Sequence, residues 1–166
     1  GAELCMDSDA FLQLDKLPDS AAIIGGGVIG LEFASILAAY GCEVTVIEYC
    51  KEILPNFDKE IAKRLRSLLS RRGVKFILGA AVKSVEDGFS VEYENKRGIN
   101  RLENIGAVIC CVGRRPVVPD GCDSAGIDLD SRGFISVDCN MATTAEGIYA
   151  VGDVNGRAML AHAATA

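Results

Sequence analysis

AAIIGGGVIGLEFASILAAYGCEVTVIE, residues 21–48, holds a short apolar run, three consecutive glycines, an apolar helical stretch, a second apolar run and a terminal carboxylate. Residues 21–24 are too short and too apolar for anything but a buried strand. Gly25, Gly27 and Gly30, directly behind them, fill the glycine positions of G-x-G-x-x-G. Gly25 permits the tight turn out of the strand, Gly27 lets a pyrophosphate approach the backbone, and Gly30 lets the helix pack closely on the sheet. A helix over residues 28–40 then points its free N–H groups and positive dipole end at the phosphates, with Gly41 as its stop. Residues 42–47 read as a second parallel strand. Glu48 closes it, 23 residues after Gly25 and near the usual interval of about 20. A carboxylate there accepts the hydroxyls of an adenosine ribose and repels a 2′-phosphate. Tyr49, Cys50 and Lys51 offer a single flexible cation, so the pattern predicts NAD over NADP.

Composition narrows the class. At 166 residues and 49% apolar, the chain can bury one good core and part of a second unit. A net charge of −6, with no basic stripe, argues against a nucleic-acid or anionic-membrane surface. Glu32 and the glycines interrupt the longest apolar stretch, so neither a transmembrane helix nor a signal peptide is expected. Seven cysteines are present without a C-x-x-C pair and with a single histidine, His162. They are read as small buried hydrophobes in a reducing intracellular compartment, the cytoplasm or, in a eukaryote, the mitochondrial matrix; no metal site is expected.

Outward from the opening stretch, residues 6–18 read as a connecting segment with one helical turn. After the loop 49–57, Asp58 is the expected N-cap of a helix over 59–72, with Ile61, Leu65, Leu68 and Leu69 on its apolar face and Gly73 as stop. Residues 74–78 predict a third parallel strand. Residues 82–86, 89–93 and 99–102 alternate with period two, a three-stranded antiparallel meander turning at Asp87-Gly88 and at 95–98. The continuous apolar run 107–112 predicts another buried parallel strand, with Gly113 at its carboxyl end where ligands bind. Residues 127–129 and 134–137 suggest a hairpin. Composition shifts at Met141, after which 148–151 predict one more strand and 154–166 the start of a helix. The expected fold is α/β: a Rossmann-like three-layer domain with a parallel sheet and an antiparallel meander.

The ordered set GGGVIGLE, VTVIE, FDKEIAKRL, VICCVGRRP, RGFISVD, TTAEGIYAVGD and MLAH resembles the pyridine nucleotide-disulfide oxidoreductases over essentially the whole chain, and AMLAH leans toward the lipoamide-oxidising members. The resemblance implies hydride transfer between NAD and FAD in a homodimeric parent. It places Gly25, Gly26, Gly27, Val28, Ile29, Gly30, Leu31 and Glu32 around the NAD pyrophosphate, with Glu32 toward the nicotinamide. Glu48 would hold the ribose, and Val82 and Gly113 would line the adenine and nicotinamide ends. Asp153 would accept from the FAD ribityl chain, and Met159, Leu160, Ala161 and His162 would open a helix toward the flavin ring.

The family's redox C-x-x-x-x-C, its second glycine motif and its acid/base histidine are not in this sequence, so no catalytic residue is assigned. The chain therefore reads as a central piece: a connecting segment from the FAD domain over 1–19, an NAD domain over 20–140 and a return into the FAD domain over 141–166. Alone it is expected to be inactive. Cut from its neighbours, the strand 148–151 is expected to pair with another chain or lose order. The alternatives are an NADH oxidase or other disulfide reductase of the same family, or a non-catalytic NAD-binding module.

Overall fold

The computed structural model describes residues 1–86 and 90–165. It forms two compact units, Gly1–Gly113 and Arg114–Ala166. The division falls just after the end of the parallel sheet.

In the first unit, β1 (Ser20–Ile24), β2 (Glu43–Glu48), β3 (Lys75–Leu78) and β7 (Ala107–Cys110) form a parallel sheet in the order β3-β2-β1-β7. Alternation along these strands sorts two layers. Ala21, Ile23, Val44, Val46 and Ile109 face helices α1 (Ser8–Leu12), α2 (Val28–Ala39) and α3 (Lys59–Arg71), while Ala22, Ile47 and Val108 face the other side. That side is covered by the expected meander of β4 (Ala81–Glu86), β5 (Ser90–Asn95) and β6 (Gly98–Leu102) through Val85, Val91 and Tyr93. Each fully buried aliphatic such as Ile23 or Leu37 contributes on the order of 2 kcal/mol by leaving water. Asp87-Gly88, expected to turn the first hairpin, and Phe89 lie outside the described residues.

The connecting segment carries its one helical turn as α1, capped by Asp7, whose carboxylate accepts the Ala10 N–H at 2.8 Å. Ahead of it, Met6 pairs in parallel with Ile109, extending the sheet past β7. Helix α3 departs from expectation on its buried face. Leu65 and Leu69 pack inward as expected, but Ile61 and Leu68 are exposed and Ala62 is buried in their place, because its small side chain lets the helix lie close to the sheet. Its end is closed by Gly73 at φ +95° and by the Val74 N–H donating to Leu69 O, so β3 begins one residue later than expected.

The second unit is mostly irregular around Ile127, Ile135 and Ala150. The expected hairpin reduces to one antiparallel bridge, Leu129 to Ile135, and residues 148–151 form no strand. They are ordered within the chain by a local bridge, Ala142 to Tyr149, and by the Asn155 amide donating to Ala150 O, where pairing with another chain or loss of order was the expectation. The expected helix over 154–166 is a 3-10 turn, Asp153–Asn155, a left-handed Gly156 and a short α4 (Ala161–Ala164). No helix among the described residues is long and apolar enough to cross a membrane.

Candidate functional site

The glycine turn sits at the carboxyl edge of the sheet, where β1 ends and α2 begins. Gly25 has φ +108°, and a Cβ on it would lie 2.6 Å from the Cys111 carbonyl, so only glycine fits between β1 and the end of β7. A Cβ on Gly30 would lie 2.2 Å from Gly25 O, which fixes how closely α2 starts against the strand. Gly27 is different. A Cβ there would meet nothing within 4 Å, leaving its backbone open to a ligand at the first turn of α2. The first helical bond is Leu31 N–H to Gly27 O, and among the described residues no protein acceptor engages the N–H of Val28, Ile29 or Gly30. These three unpaired donors and the positive end of the helix dipole stand at the turn where Gly27 leaves open space, an arrangement able to receive an anion.

Glu48 closes the other side. It is the single buried charged residue among those described, 8% exposed. Its Oε2 accepts the Gly26 N–H and its Oε1 the Cys50 N–H, each at 2.6 Å. The carboxylate is thus a clasp between the end of β2 and the glycine turn, and each oxygen keeps lone-pair capacity for a further donor. Sequence spacing placed a carboxylate near the turn; its two backbone bonds depend on folding.

The loop after β2 also belongs to the site, which sequence reading did not assign. Ile53 and Leu54 are buried, Leu54 donates its N–H to Gly26 O at 2.9 Å, and Ile53 lies 3.1 Å from where a Gly26 Cβ would stand. An apolar pair in a loop directly behind the acid is the signal that could have found them. Glu52 anchors this loop to α3 through Arg66, at 2.7 and 3.1 Å, and that guanidinium holds its carboxyl below the usual range. Burial pushes the Cys50 thiol up, and the neighbouring Glu48 adds to it.

The remaining first-unit positions are spread over α2, β4 and the segment after β7. Glu32 and Val28 are on the exposed side of α2, Ile29 is half-buried and Leu31 is in the core. Gly113, at φ +112° with open space where a Cβ would be, lies two residues beyond Cys111. Val82, half-buried on β4, follows Ala80, whose N–H donates to Glu48 O. A larger cavity of about 620 Å³ opens at the amino ends of β1 and β7, beside Pro18, Ser20 and Gly106, away from every one of these groups. The cysteines are all free, six of them half-buried and Cys139 exposed rather than fully buried as expected. Burial pushes Cys111 up to about 11.

In the second unit, Asp153 follows Gly152 at φ +84° and pairs with Arg114 Nε at 3.4 Å. The two line a cavity of about 320 Å³ with Phe134, Val151 and Met159. Leu160 caps α4, so Met159 and Leu160 precede the helix that the motif was expected to open, and Ala161 and His162 are its exposed first residues.

A parallel sheet with a glycine turn, a helix N-terminus and a carboxylate at the next strand's end defines a Rossmann-like α/β domain. The chain belongs to the pyridine nucleotide-disulphide oxidoreductase family, whose model matches residues 3–166. It is 42% identical over 161 residues to dihydrolipoyl dehydrogenase of Chlamydia muridarum, covering 95% of this chain and 34% of that protein. It is 40% identical over 166 residues to dihydrolipoyl dehydrogenase of Bacillus subtilis, covering 96% and 35%. Among solved structures, the HOCl-induced flavoprotein disulfide reductase RclA from Escherichia coli superposes with a TM-score of 0.80 at 34% identity, covering 96% of this chain and 37% of that one. The chain spans about a third of the length of these relatives.

Proposed function

We propose that this chain is the NAD-binding part of a flavin-dependent disulfide oxidoreductase of the dihydrolipoyl dehydrogenase type. The observation that carries the proposal is the open Gly27 face between the unpaired N–H groups of Val28, Ile29 and Gly30 and the clasped carboxylate of Glu48. The residues fit the dinucleotide. The three N–H groups donate to pyrophosphate oxygens, and Gly27 leaves room for them. Glu48, already oriented by Gly26 and Cys50, accepts the adenosine ribose hydroxyls with its remaining lone pairs and repels a 2′-phosphate. Val82 lines the adenine end, and Gly113 and Glu32 the nicotinamide end. A bound nicotinamide supplies hydride exchange with a flavin held by the whole protein.

The same reading gives residues 141–166 to the flavin site. The carboxylate of Asp153 is half-exposed and held by Arg114 on one side only, which leaves it free to accept a ribityl hydroxyl. The N–H groups at the start of α4, from Ala161 and His162, would be the ones to meet a flavin ring bound by the whole protein. Residues 1–19 then serve as the connection from the FAD domain, residues 20–140 as the NAD domain, and the parent is a homodimer. The similarity of the chain to dihydrolipoyl dehydrogenases at 42% and 40% identity supports that substrate class. The structural likeness to a flavoprotein disulfide reductase favours, as second reading, another disulfide substrate.

The test is to purify the full-length parent and assay it. A flavin spectrum with NAD-dependent oxidation of dihydrolipoamide is expected. Flavin with turnover on other disulfides alone selects the second reading, and a protein without flavin overturns both.

A further inference from the structure

The loop over residues 49–57 holds a strained residue against the glycine turn. Leu54 stands at φ +49°, in the left-handed region that a leucine seldom enters, and Pro55 behind it restricts it further. Strain of this kind persists only where the surroundings impose it. Leu54 is buried, its carbonyl accepts the Phe57 N–H at 2.9 Å, and its own N–H donates to Gly26 O at 2.9 Å. Gly26 is thereby held on both sides, since Glu48 takes its N–H. Across a trans peptide the next N–H points opposite to the carbonyl, so the Leu54 bond turns the Gly27 N–H away from the loop, where no protein acceptor among the described residues engages it.

The loop is tied down from α3. Glu52, two residues before Leu54, accepts the Ile53 N–H at 3.1 Å and receives the Arg66 guanidinium as a two-pronged fork at 2.7 and 3.1 Å. Helix α3 is itself fixed, by its Asp58 cap and by Ala62 and Leu69 in the core. A fork of this kind sets direction as well as distance. We infer that Arg66 is a positioning residue for the dinucleotide site: through Glu52 it keeps the strained Leu54 on the Gly26 carbonyl and so keeps the Gly26–Gly27 peptide aimed for a pyrophosphate. The inference rests on the dinucleotide reading, which places neither Glu52 nor Arg66 against the nucleotide. Without the fork, Leu54 can relax out of the left-handed region, the fraction of molecules with a correctly aimed turn falls, and apparent affinity falls with it.

Arg66→Ala in the full-length protein tests it, with Arg101→Ala as control. Arg101 is similarly exposed, at 43% against 36%, and pairs with Glu86 on the meander, away from the turn. In nucleotide-free protein, amide hydrogen exchange over residues 49–57, read by mass spectrometry, is expected to be at least about threefold faster in Arg66→Ala. Calorimetry is expected to show NAD binding weakened by about three- to fivefold in the same variant. Arg101→Ala should change neither. Unaltered exchange, or equal NAD affinity in Arg66→Ala and a wild type that binds it, overturns this inference alone. Equal weakening by Arg101→Ala also overturns it, by assigning the loss to general destabilisation. A wild type that binds no NAD overturns the dinucleotide reading and this inference together.

Discussion

Replacing Glu48 by glutamine separates a clasp from a simple ribose acceptor. Both carboxylate oxygens receive a backbone N–H at 2.6 Å in a position only 8% exposed. Bonds to a charged acceptor contribute about 1.5–3 kcal/mol each, against about 1 kcal/mol for a neutral one. Glutamine keeps one neutral acceptor and turns an NH₂ group onto the second N–H, leaving a buried donor facing a donor. The loss is about 3 kcal/mol, which for a chain of 166 residues lowers the melting temperature by roughly 6–12 °C. Thermal unfolding followed by circular dichroism, without nucleotide, measures it. A shift corresponding to less than about 0.5 kcal/mol, the range of an ordinary surface substitution, would refute the clasp.

Other predictions follow from neighbouring residues. Gly27→Ala places a Cβ in open space, so stability should stay within about 0.5 kcal/mol while NAD affinity, read by calorimetry, falls at least about tenfold. Gly30→Ala forces a Cβ to 2.2 Å from Gly25 O and should instead cost several kcal/mol of stability, seen as a lowered denaturation midpoint. Arg66 holds the Glu52 carboxyl below its unfolded value, so the pair stabilises above about pH 4.3 and its contribution is lost as pH falls through the lowered value. Arg66→Ala should therefore cost about 1 kcal/mol or less at pH 7, this pair being partly exposed, and nothing in strong acid; an unchanged cost across that range contradicts the pairing. Burial pushes the Cys111 thiol to about 11, so iodoacetamide at pH 8 should alkylate exposed Cys139 well before Cys111, as read by peptide mass spectrometry.

The path from β1 through α2 to β2 was legible in sequence because each step is local. An apolar run, a glycine forced to φ +108°, a helix stop and an acid at the right interval each carry their own signal within a few residues. The Glu48 clasp was not legible beyond its position, since its partner Gly26 stands 22 residues away and bonds through a backbone N–H that spacing does not show. On α3, the large aliphatics Ile61 and Leu68 drew the apolar face toward themselves, whereas close approach to the sheet selected the small Ala62. In the second unit, the short runs 127–129 and 134–137 on either side of a turn suggested a hairpin. A ladder needs continuous partners, and the Asp130 carboxylate takes the Arg132 and Phe134 N–H groups that would otherwise pair. The Ile53-Leu54 pair carried a signal of burial in its apolar character, but its partner, Gly26, was set only by the fold.

The most direct measurement is calorimetric titration of the full-length protein with NAD and with NADP, repeated for the Glu48→Ala variant. Binding of NAD at least about tenfold tighter than NADP, with that preference lost in the variant, is the expected result. Equal affinity for the two nucleotides, or a preference that survives removal of Glu48, would contradict the site described for the glycine turn and its carboxylate.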